Sequence, residues 1–171
     1  MLKGTGYFDK LGNPCIKFHL NGVYHQKPGI EYEAVIDTGF TGFISLPITT
    51  AFTLGLPLYG TASPTLADGT QSTCITAQGK ATFSGQTKIG VVVLQASSQE
   101  ILLGMDFLRQ FHLSLVVTNK QILLLDEDWI NKVAAASEAE EKNQKSGQEK
   151  TAAVLPEGAV TAPKQDDVET K

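Results

Sequence analysis

Along residues 1–127 the apolar positions recur mostly every second residue, in short runs broken by Gly, Pro, Asn and Asp. That is the signature of half-buried strands joined by turns. KGTGYFD and PCIKFHLNG read as a hairpin joined across Lys10–Asn13. IEYEAVID is a strand that runs into a turn at Asp37, and GFISLP is the strand after it. Asp68-Gly69 and Ser84-Gly85 mark two further hairpins, because the favoured two-residue turns need positive φ. ILLG is a short buried strand, and LSLVV and QILLL flank a turn at Thr118-Asn119-Lys120. Helical spacing appears twice. Residues Ile48–Leu54 suit one or two turns, and MDFLRQF places Met105, Leu108 and Phe111 on one face. The pattern predicts an all-β domain with one short helix late in the chain.

The alternation stops near residue 130. Beyond it lie NKVAAASEAEEKNQKSGQEK and a remainder with no aromatic residue and no Ile. Such a segment buries too little apolar surface to offset the entropy of ordering. The expected organisation is a domain over 1–127, a helical extension over 128–143 and a disordered polar tail over 144–171. The chain's 171 residues suit one domain, and its 42% hydrophobic content supplies a core. A net charge of −4 without a Lys/Arg cluster excludes an ordinary nucleic-acid binder. No apolar run approaches the roughly 20 residues of a membrane span, and MLKGTGYFDK lacks the apolar stretch of a signal peptide. No membrane partner is expected, and the expected compartment is the cytoplasm.

The candidate chemistry is narrow. Cys15 and Cys74 have no C-x-x-C spacing and read as small buried apolar groups. His19, His25 and His112 have no metal-ligand spacing, so no metal or cofactor is expected. Ser45 has no G-x-S-x-G context, which argues against a serine hydrolase. Asp106 reads as a helix N-terminal charge favoured by the helix dipole. Asp37 differs. It ends an apolar strand and is followed by Thr38 and Gly39, then by a second apolar strand. A carboxylate among apolar segments is costly unless paired or hydrogen-bonded, so this turn is where chemistry is expected.

Three segments in this order, AVIDTGFTGFISLP, LADGTQSTCITAQGKATF and ILLGMDFLRQFHLSLVV, resemble the retropepsin-like aspartic proteases, and most closely their single-domain bacterial branch. The resemblance spans about residues 5–125. It implies a closed, barrel-like acid-protease fold acting as a C2 homodimer, with Asp37, Thr38 and Gly39 as the catalytic triplet. It further implies that Leu102, Leu103 and Gly104 pack behind the D-T-G turn and that a polypeptide substrate lies against Phe40, Leu103 and Gly104. A hairpin carrying Ala67, Asp68, Gly69 and Thr70 would cover that substrate. Apolar ends of the body, including Ile122–Leu125, become interface candidates. Phe40 departs from the retroviral pattern, where a small residue follows D-T-G. The implied function is an aspartic endopeptidase whose water is activated between two Asp37 carboxylates. The alternative is a non-catalytic dimerisation or peptide-binding module on the same fold.

Overall fold

A computed structural model describes residues 1–26, 29–63, 69 and 73–137. Pairing begins at the first hairpin, where β1 (Leu2–Phe8) meets β2 (Pro14–Gly22) at Tyr7 opposite Cys15 and Phe8 opposite Pro14. The Asp9 carboxylate shapes the connection. Its Oδ1 accepts from the N–H groups of Leu11 and Asn13, both at 2.8 Å, and Gly12 takes a φ of +85°. An Asp side chain that bonds the backbone two residues on is a standard way to build such a turn.

Six strands close a barrel. β2 lies beside β3 (Ile30–Ile36), and β3 runs parallel to β8 (Leu102–Leu103). β8 is antiparallel to β4 (Ile44–Pro47), which runs parallel to β7 (Gln86–Gln95). β7 forms a hairpin with β6 (Cys74–Phe83), and β6 returns to β2. The β6–β7 turn has Ser84 at φ +50° and Gly85 at φ +76°, the two positive values that a tight hairpin loop demands. β5 (Leu58–Ala62) hangs on the outer edge of β6. On the other side of the barrel the sheet continues from β1 to β10 (Ile122–Asp126) and ends at β9 (Leu113–Val117). Lys3 and Asp126 form an ion pair at 2.9 Å across β1 and β10.

Two short helices complete the body, α1 (Ile48–Thr53) and α2 (Met105–Gln110). The core sits under α2. Phe107 is fully buried, and its ring meets Phe18, Phe43, Phe83 and Phe111 with centroids 4.6–6.3 Å apart. Phe107, Leu108 and Phe111 form the buried face, whereas Met105 is only half-buried. Met105 packs against the same core from its edge, so the face read from the sequence is present, with Phe107 added at its centre. Residues 127–137 are helical, and 138–171, including the rest of the expected extension and the tail, lie outside the described residues. Among the described residues no helix is long and apolar enough to cross a membrane.

Candidate active site

Asp37 stands at the first position after β3. Its N–H donates to the carbonyl of Leu103 at 2.9 Å, so the strand's last bond is made to β8. The chain then turns at once. The Asp37 carbonyl accepts from the Phe40 N–H at 3.2 Å, and its carboxylate Oδ1 accepts from the Gly39 N–H at 2.9 Å. Among the described residues, Oδ2 accepts no hydrogen bond. Asp37 is half-buried, while Thr38 and Gly39 are exposed. The turn therefore holds one carboxylate oxygen against the backbone and leaves the other without a hydrogen bond from the described residues. The Thr38 hydroxyl has no hydrogen-bond partner among the described residues.

The turn is fastened from behind. The carbonyl of Phe40 accepts from the Met105 N–H at 2.8 Å, that of Gly42 from the Asp106 N–H at 3.2 Å, and that of Phe43 from the Gly104 N–H at 3.2 Å. These donors are at the start of α2, where a helix has unpaired N–H groups to give. Gly104 is the contact point. A Cβ there would stand 2.2 Å from the Gly42 oxygen and 2.4 Å from the Phe40 oxygen. Only a residue without a side chain lets the helix start so close to the loop. Leu103 is fully buried and Gly104 is buried, so both lie behind the turn and not on an open surface.

Phe40 is the feature that departs from the expected small residue. Its ring lies over Gly42, where an added Cβ would meet the ring Cζ at 2.4 Å. It is one wall of a cavity of 410 Å³ lined by residues 40–43, Ala62, Ser63, Val91, Val93, Asp106 and Arg109. Asp37 does not line it. Asp106 Oδ2 accepts from the Gln110 side-chain amide at 2.8 Å, which turns that carboxylate along its own helix. Arg109 is the only arginine of the chain. Val91, Val93 and Arg109 carried no sequence signal as cavity residues, because β7 and α2 reach the loop only through the barrel's closure. Of the expected covering hairpin, Gly69 is exposed with φ +81°, and Ala67, Asp68 and Thr70 lie outside the described residues.

The geometry matches solved structures. A retropepsin-like aspartic protease from Rickettsia conorii aligns over 71% of this chain and 88% of its own, at 18% identity and a TM-score of 0.51. The EIAV protease, solved with the inhibitor HBY-793, aligns over 64% of this chain and 98% of its own, at 15% identity and a TM-score of 0.50. The fold is retropepsin-like. No family model and no curated protein matches the chain by sequence. The retropepsin-like barrel thus stands on backbone architecture. In it the Asp37 turn lies at the junction of β3, β8 and α2.

Proposed function

We propose that two copies of this chain form an aspartic endopeptidase. One Asp37 carboxylate acts as base and takes a proton from water as the water attacks a peptide carbonyl. The other, protonated, donates a hydrogen bond to the carbonyl oxygen. Two carboxylates brought this close share one proton, because like charges at contact distance cannot both stay ionised. They titrate as a pair. Thr38 braces the two turns, Gly39 presents its N–H to the carboxylate, and Phe40 borders the substrate. The segment around Ala67–Thr70 folds over a polypeptide bound as an extended strand. No cofactor is required.

The observation that carries this reading is the half-buried Asp37 carboxylate, whose Oδ2 accepts no hydrogen bond among the described residues, in a retropepsin-like barrel where three other aspartates are engaged elsewhere. Asp9 holds the first hairpin turn, Asp106 is bonded by Gln110, and Asp126 is paired with Lys3. In this reading the second carboxylate comes from a second copy. Asp37→Asn tests the reading on peptide and unfolded-protein substrates. The expected loss in kcat is at least 10²–10⁴-fold, the usual weight of a general acid–base group, with oligomeric mass unchanged. Saturable peptide binding without hydrolysis in the wild type would favour the non-catalytic module instead.

A further inference from the structure

The cavity beside the Asp37 turn combines an apolar floor with a cation that nothing in the chain engages. Val91 and Val93 of β7 stand two residues apart, so their side chains leave the same face of the sheet. Ile89 continues that face and is 55% exposed. Opposite these three on β6 are Gln78, Thr76 and Lys80. Gln78 and Thr76 are neutral, and the Lys80 ammonium donates to the His25 carbonyl. Phe40, the residue after the D-T-G triplet, forms one wall. An apolar track therefore runs along β7 into the cavity that Phe40 borders.

Two charged groups line this cavity, Asp106 and Arg109. Their spacing on α2 makes them neighbours on the helix surface, yet no ion pair joins them. The ion pairs among the described residues are made by Lys3 and Lys17. The Asp106 carboxylate is half-buried and already accepts from the Gln110 amide. The Arg109 side chain is exposed, and its five N–H donors meet no acceptor among the described residues. A cation in the last turn of a helix also suits the helix dipole, but that role uses the charge and leaves the donors free. Of the two charges, the acid is partly satisfied and the cation is not. The cavity lacks an acceptor.

We propose that Arg109 selects polypeptides carrying an acidic side chain of the glutamate type. The aliphatic stem lies on Val91, Val93 and Phe40. The carboxylate accepts from the guanidinium, whose planar fork matches it bidentately. That the occupant is a peptide side chain rests on the proposed function. That it is acidic rests on the charges of the cavity. A lysine there would meet the unengaged guanidinium, and its one counter-charge, Asp106, already holds Gln110. Asp37 does not line the cavity, so the contact forms away from the reacting bond and acts on KM more than on kcat. Because Arg109 is exposed, the preference is modest and weakens with salt.

A positional scan on the full chain tests this. Glu, Gln and Lys are placed in turn at each position of one peptide. Cleavage is followed as kcat/KM, and binding of the same peptides is measured by fluorescence anisotropy. At one position Glu is expected to exceed Gln by about fivefold, the upper range of an exposed ion pair, and the ratio is expected to fall toward one at high salt. Arg109→Gln is expected to bring that ratio to about one, and Arg109→Glu to turn the preference toward Lys. Lys120→Gln, on the distant β9–β10 turn, removes the same charge and is expected to leave the ratio as it is. Circular dichroism checks that each variant is folded. A role in the helix alone would change stability and not the ratio. Absence of a Glu preference, its survival in Arg109→Gln, its equal loss in Lys120→Gln or a wild-type preference for Lys overturns the proposal, while cleavage itself leaves the proposed function standing. Peptides that bind with the Arg109-dependent ratio but are never cleaved would support this site and overturn the proposed function. Peptides neither bound nor cleaved would overturn both.

Discussion

Gly104→Ala is expected to be among the most damaging single methyl additions in the barrel. The new Cβ would meet two backbone oxygens, of Gly42 at 2.2 Å and of Phe40 at 2.4 Å. Ordinary contact requires these carbonyls to retreat by about 1 Å, since repulsion at such distances is steep. Both are acceptors for α2, and Gly104 itself donates to Phe43. Three hydrogen bonds are therefore stretched or broken together. At a net ~1 kcal/mol each, with a further 1–3 kcal/mol for a carbonyl left buried without a donor, the loss comes to about 4–6 kcal/mol. That is a large share of the roughly 5–15 kcal/mol that holds a domain folded, and it lowers Tm by about 10–20 °C. Urea unfolding followed by circular dichroism measures it. Gly42→Ala is the internal comparison, because the three heavy atoms nearest its added Cβ all belong to the Phe40 ring. Phe40→Ala should therefore rescue much of the Gly42→Ala loss but only the part of the Gly104→Ala loss that comes from a 2.7 Å contact with the Phe40 ring, leaving both backbone contacts in place. A Gly104→Ala protein within about 1 kcal/mol of the wild type, or one restored by Phe40→Ala, would refute the backbone-contact argument.

Two further outcomes follow from the body of the chain. The Ser45 hydroxyl is fully buried and is the one such side-chain oxygen or nitrogen without a partner among the described residues; Ser45→Ala should leave stability unchanged or raise it by about 1 kcal/mol in chemical denaturation, and a loss of that size would mean the hydroxyl is bonded. The Lys3 ammonium, with help from the Trp129 N–H, holds the Asp126 carboxyl below the usual range. A lowered folded pKa contributes stability that is present above the unfolded value near 3.8 and disappears as pH falls through the folded value. Lys3→Met should therefore raise the Asp126 pKa in an NMR titration and flatten the acid limb of the stability profile. An unmoved pKa would contradict the pairing.

The features legible in the sequence are those written locally. Ser84-Gly85 announced its turn, because both positions need positive φ, and Asp9 to Asn13 closed the first hairpin with their own side chains. Asp37-Thr38-Gly39 stood out because a carboxylate between apolar strands needs a reason. What stayed hidden depends on distant pairings. Nothing local says that β4 runs parallel to β7 and antiparallel to β8, or that β10 is enclosed between β1 and β9. The resemblance already placed Leu102, Leu103 and Gly104 behind the turn, but the bonds that fasten them there follow from the register of β8 with β3 and the start of α2. Phe40 was visible as an anomaly. Its place over Gly42, at the wall of the cavity, required the loop and the helix together.

The most direct measurement is turnover by wild-type and Asp37→Asn chains on one peptide library, with oligomeric mass determined on the same samples. The account predicts cleavage by the wild-type dimer and a loss of at least 10²–10⁴-fold in an equally dimeric Asp37→Asn protein. Equal turnover by the two would contradict it.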